Sequence, residues 1–254
     1  MTDAPQVLDP PWASWGGRVA SEAELAACVE VLGLVAVQAV GGWPCLGEVL
    51  AAGVATKAAW GWVGSLVARR EIFAGRAMPG SAGPWLAAAA VFPVVFARGP
   101  GSDPAAAYAK GLFGITGKAV VELLMVRGPL TMQQIRLGLG QHKRFLIHDT
   151  PAVMAELERA LVVVAGGPEM AADWRTEAPS RPRSRFNPPP SPELDLRVWE
   201  LTVLWAPPAA LAAADRLRED RGKARTLLRA HLAALNPGAE DAEIEALLGE
   251  DADR

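Results

Sequence analysis

Residues 118–144 read KAVVELLMVRGPLTMQQIRLGLGQHKR, and the way this stretch folds decides the architecture of the chain. Ala119, Val120, Leu123 and Leu124 recur at helical spacing, which predicts an amphipathic helix. Gly128-Pro129 stops that helix, because proline cannot continue it and glycine frees the turn. Leu130 then plugs the core, Thr131 occupies an N-cap position, and MQQIRLGL forms a second short helix ending at Gly140. Thr150-Pro151 is a cap followed by proline in the first helical turn. The helix that follows, Ala152–Ala160, carries Val153, Met154 and Leu157 on its buried side. LVVVAGGPE (161–169) then supplies a β-branched run and a Gly-Gly turn. The order is helix, turn, helix, helix, strand, turn, which is the order of a winged helix.

The same order reads upstream. Ser21 and Glu24 make a capping box before an apolar helix with Leu25, Cys28, Val29 and Leu32 on one face, and Gly33 ends it. WPCLGEVL (43–50) is a second short helix, and Thr56 caps a third that carries Trp60, Val63 and Val67. IFAGRAMPG (72–80) is a short strand and turn. Residues 79–114 read as an apolar connector with a short helix beginning at Trp85. Residues 175–192 hold six prolines and four arginines, the composition of an extended linker. The expected fold class is mainly α with small β-wings, in tandem winged-helix (helix-turn-helix) units. The first spans 1–78 and the second 115–174. A helical C-terminal unit, a reduced winged helix by one reading, spans 193–254.

Charge is uneven under a net −3. Between Lys110 and Arg144 six cations stand against one acid, Glu122, whereas Glu240–Arg254 holds seven acids and one arginine. A basic middle beside an acidic tail admits a nucleic-acid partner that net charge alone would not suggest. The residues expected to meet DNA fall in four groups. Thr131, Gln133, Gln134 and Arg136 lie on the second helix, followed by His142, Lys143 and Arg144, which suit phosphate contacts. Arg159 ends the third helix. Arg69, Arg70 and Arg76 close the first unit, and Arg181, Arg183 and Arg185 lie in the proline-rich linker, where arginine can follow a backbone or a minor groove. The third helix also bears Glu156 and Glu158, and only Arg159 can read a guanine edge, so weak sequence preference is expected. The two acids equally suit a protein partner.

Other chemistries find no support in the residues. His142, His148 and His231 have no partner at metal-ligand spacing, and Cys28 and Cys45 read as buried free thiols. No phosphate-binding glycine fingerprint or G-x-S-x-G is present, so no cofactor is expected. The longest apolar run, Trp85–Ala97, is too short for a bilayer and holds Pro93, so no membrane partner is expected. MTDAPQVLDPPW has neither a basic nor an apolar leader region. The expected location is cytoplasmic, and nucleoid-associated if DNA is bound.

WPCLGEVL, AWGWVGSLVARREIFAGRAM, ITGKAVVELLMVRGPLTMQQIRLGLG with VMAELERALVVVAGG, and RAHLAALNPGAEDAEIEALLG occur in an order that resembles the AlkZ/YcaQ-like winged-helix DNA glycosylases, and more closely the shorter AlkZ-related proteins. These stretches cover about a third of the chain. The resemblance implies consecutive winged helices that embrace duplex or damaged DNA in a repair role. In the active enzymes a Gln-x-Gln pair positions a water for attack at the sugar C1′. Gln38 matches the second glutamine, and Ala36 stands where the first would be. Glu48, Glu71 and Asp103 are the acids nearest that role. The resemblance therefore implies a glycosylase-like hydrolase or a non-catalytic DNA-binding homologue.

Overall fold

The computed structural model describes residues 11–76, 78, 80–81, 83–99, 103–140, 150–166 and 198–249. After a short 3₁₀ turn (Pro11–Trp15), the first unit runs α1 (Glu22–Leu32), β1 (Leu34–Ala36), α2 (Leu46–Val49), α3 (Thr56–Ala68), β2 (Ile72–Gly75) and β3 (Trp85–Ala88). Two short helices follow, α4 (Phe92–Phe96) and α5 (Pro104–Ala109). The second unit is α6 (Ile115–Arg127), β4 (Leu130–Thr131), α7 (Met132–Gly140), α8 (Thr150–Arg159), β5 (Val163–Gly166) and β6 (Val198–Leu201). Helices α9 (Thr202–Trp205), α10 (Pro208–Glu219), α11 (Arg221–Leu235) and α12 (Asp241–Leu248) complete the described chain. The molecule is mainly helical, with two small antiparallel sheets ordered β1-β3-β2 and β4-β6-β5.

The two units repeat in detail. Each runs α-β-α-α-β-β, and in each sheet the last strand lies between the other two. The row Ala36, Trp85, Gly75 in the first sheet corresponds to Thr131, Val198, Gly166 in the second. Each opening helix ends on a glycine with positive φ, Gly33 at 73° and Gly128 at 76°, whose N–H donates to Val29 and Leu124 respectively. Each third helix ends on a non-glycine left-handed residue, Arg70 at φ 63° and Leu161 at 56°. The flanking hydrogen bonds also match: Glu71 N–H to Leu66 O and Val162 N–H to Leu157 O, both 2.9 Å.

Sequence and structure part at the central strands. Trp85–Ala88, expected inside a connector, is the middle strand of the first sheet, so that unit runs past residue 78. Val198–Leu201, expected in the C-terminal unit, is the middle strand of the second, so residues 167–197 join two strands of one sheet instead of separating two units. A strand buried on both faces reads as a short apolar run, and periodicity cannot distinguish it from a buried helix. Beyond β6 the described residues form helices without strands, so they do not make a reduced winged helix.

Two hydrophobic cores hold the molecule. The second unit closes around Val120, Leu124, Ile135, Leu139, Leu157 and Trp199. The other core joins the first unit to α10–α12 through Leu228, Leu232 and Leu248. Edge strand β5 serves both: Val163 packs in the second unit's core and Val164 in the first, each fully buried. Trp205 carries the chain back to the first unit, where its indole donates to Val67 O at 3.0 Å and its ring meets Phe73 edge-on.

The repeat supplies an internal control for one glycine. A Cβ at Gly33 would lie 2.5 Å from the His231 ring, whereas at Gly128 nothing lies within 4 Å. Gly128→Ala meets backbone strain alone, at φ 76° and ψ −153° in a region essentially confined to glycine, and lowers stability by about 2 kcal/mol, while Gly33→Ala adds overpacking to its own positive-φ strain for a total of about 4 kcal/mol. Urea denaturation midpoints of the two variants check the difference.

Candidate nucleic-acid interface

The stretch 128–140 folds as a turn and helix whose first residues stabilise themselves. Thr131 N–H donates to Gln134 Oε1 at 2.8 Å, and Gln134 N–H donates to Thr131 Oγ1 at 3.2 Å. This reciprocal cap satisfies two of the orphan donors at the start of α7. Thr131 is buried. Thr131 and Gln134, expected to touch DNA, are thus occupied in starting the helix. Gln133 is exposed and Arg136 half-buried on the same helix. Gly138 lets α7 approach α6 closely, since a Cβ there would sit 2.6 Å from Leu123 Cδ2.

On α8, Arg159 is exposed and Ala152 is exposed one face along. Glu158 does not face outward. It is 5% exposed and forms an ion pair with Arg76 of the first unit at 3.5 Å, so its charge does not confront a phosphate approaching α8. Glu156 is half-buried. His142, Lys143, Arg144, Arg181, Arg183 and Arg185 lie outside the described residues, as do Gln141 and His148.

The arginine group of the first unit has intramolecular partners. Arg69 bridges Glu22 at 2.7 Å and Glu71 at 2.6 Å. The hydrogen bond from Arg69 holds the Glu71 carboxyl below its ordinary range. Arg70 acts on Glu200 of β6, and Arg76 on Glu158. Strand β2 is therefore flanked by exposed Arg70, whose charge partly opposes the desolvation of Glu200, and by Arg76, which pairs with Glu158. The sequence signal was present only in part: Glu71 stands beside Arg69 and Arg70, but Glu158 and Glu200 are remote in the chain.

Gln38 is exposed on the loop between β1 and α2, and its side chain packs on Gly83. The second unit has no such loop, since β4 runs straight into α7. The loop is fixed at several points. Val37 N–H donates to Pro84 O at 3.0 Å, and Ala36 bridges to Cys45. The Trp43 indole donates to Leu232 O of α11 at 3.1 Å, and the Trp12 indole to Gly42 O at 3.1 Å. Of the candidate acids, Glu71 is held by Arg69, Asp103 caps α5 through Ala105 N–H at 2.8 Å, and Glu48 is exposed on α2. Burial pushes the Cys28 thiol up to about 12, which leaves it inert as a nucleophile. Among the described residues no cluster of His, Cys, Asp or Glu could hold a metal ion, and no helix is long and apolar enough to cross a membrane.

The chain matches no protein-family model, no curated protein and no solved structure.

The cap and the buried acid of β6 each set a measurable outcome. Thr131→Ala removes the reciprocal cap and lowers stability by about 1 kcal/mol, whereas exposed Gln133→Ala leaves the thermal midpoint unchanged. Desolvation raises the Glu200 carboxyl above its ordinary value of 4.5, with Arg70 partly opposing the shift. A raised acid binds its proton more tightly in the folded state, so its burial costs stability as pH rises above 4.5 toward its folded value. Glu200→Gln removes that dependence; denaturation at a series of pH values should show the variant gaining on the wild type as pH rises through this window.

Proposed function

We propose that the chain is a tandem winged-helix protein that binds duplex DNA with little sequence preference, in a DNA-repair role. The observation that carries this reading is the α-β-α-α-β-β unit occurring twice with the same strand order and register. That connectivity supports a winged-helix reading, in which the three helices form the helix-turn-helix and the connection between the last two strands is the wing. The resemblance of the sequence to the AlkZ/YcaQ-like proteins points the same way. Weak sequence preference follows from α8: beyond Arg159, its outward residues offer little to a base edge. No catalytic step is assigned. Gln38 sits on a firmly held loop, but Ala36 replaces its partner and two of the three acids have structural roles.

A protein partner is the second reading. Met125, Val126 and Leu137 of the second unit are 62%, 83% and 63% exposed, which is apolar surface that DNA would not use.

Fluorescence anisotropy of a labelled duplex across a salt series separates the readings. DNA binding gives an affinity that falls linearly with salt on logarithmic axes, and Lys143→Ala/Arg144→Ala flattens the slope by about 0.9 for each phosphate no longer neutralised. Absence of binding at low salt, with a stable protein partner captured instead, selects the second reading.

A further inference from the structure

We infer that the duplex is held on one side only, by the second unit, and that the first unit is a closed scaffold whose wing is occupied by the C-terminal helix. This rests on the DNA-binding reading above. It differs from an embrace by consecutive units.

The wing of the first unit is residues 76–84, between β2 and β3. Met78 is fully buried and Ser81 is 7% exposed. Gly80 N–H donates to Leu247 O of α12 at 3.1 Å. The approach is so close that a Cβ at Gly80 would lie 1.6 Å from Ala246 O. The next carbonyls of that helix end are taken as well: Arg98 donates to Leu248 O, and Arg225 to Gly249 O at 3.0 Å. The last turn of a helix leaves carbonyls without internal partners, and here the first unit's wing and two arginines supply them. Among its described residues, the wing's Gly80 N–H is committed to α12 and so is not offered to a groove.

The rest of the first unit agrees. The only cation of its wing, Arg76, pairs with Glu158. Arg69 pairs with Glu22 and Glu71, and the charge of exposed Arg70 acts on Glu200. The exposed residues described on α3 are Ala58 and Ala68, both uncharged. The loop before α2 lies under α11, where a Cβ on Gly42 would meet Asn236 Nδ2 at 2.7 Å. In the second unit, by contrast, α7 and α8 present Gln133, Arg136 and Arg159, and the acid nearest Arg159 is turned inward. The partner that fits is a B-form duplex contacted along one side through its phosphates.

The test compares three versions of the whole chain on one labelled duplex of about two helical turns: wild type, Arg136→Ala/Arg159→Ala in the second unit, and Arg18→Ala/Lys57→Ala in the first. Circular dichroism melting checks that each is folded. The expected result is a salt slope reduced by about 2 for the second-unit variant and unchanged for the first-unit variant. Hydroxyl-radical cleavage should then show one protected cluster, on one side of the helix. A first-unit variant that flattens the slope as much as the second-unit variant, or protection around the full circumference, overturns the inference while leaving DNA binding intact. Wild type that fails to bind at low salt removes the DNA reading, and the inference with it.

Discussion

Strand β5 is at the edge of its sheet, and yet its first two residues, Val163 and Val164, are both fully buried. Its Val163 belongs to one core and its Val164 to the other, so a two-residue step fixes how the units meet. An edge strand normally needs protection against pairing with another chain. Here the protection comes from the neighbouring unit, whose own edge strand β2 packs beside it. Once β5 and β2 meet, little freedom remains. At one end of β2 Arg76 pairs with Glu158 of α8, at the other the Arg70 charge acts on Glu200 of β6, and Trp205 returns the chain to Val67. A buried carboxylate such as Glu158 is costly unless paired, so Arg76 is committed to it.

That commitment withdraws Arg76 from the surface. In the linear chain, Arg69, Arg70 and Arg76 look like phosphate ligands, because Glu158, which pairs with Arg76, and Glu200, on which the Arg70 charge acts, stand far away in the sequence. Folded, Arg69 and Arg76 are paired within the chain while Arg69 and Arg70 stay exposed. The acidity of α8 is misleading in the same way, since Glu158 faces the neighbouring unit. The field that a partner meets is that of the folded surface, with these internal pairs already cancelled.

The local elements were legible because they are local. The stop at Gly128-Pro129, the cap at Thr131, the box at Ser21 and Glu24, and the glycine at 33 each act within a turn of chain, and each appears where the residues place it. The central strands were not legible. Trp85–Ala88 and Val198–Leu201 are buried strands whose partners lie far off in sequence, and neither alternation nor a turn signal marks them. The proline and arginine content of 175–192 suggested a boundary between units. Its position between β5 and β6 follows only from the pairing of Val198 with Gly166. The roles of Gly80 and Gly42 were equally hidden, because what demands a missing Cβ there is Ala246 in one case and Asn236 in the other, both remote in the chain.

The pinned loop between β2 and β3 also sets an order of events during synthesis. Residue 80 leaves the ribosome long before residue 247, so Gly80 must wait through all the intervening chain before its backbone partner exists. The second sheet waits too, with β4 and β5 made well ahead of the strand that joins them. Unjoined strand edges are the surfaces through which nascent chains associate. The risk of aggregation is therefore greatest in the interval before β6 emerges, and termination ahead of residue 247 leaves the loop between β2 and β3 without its backbone partner.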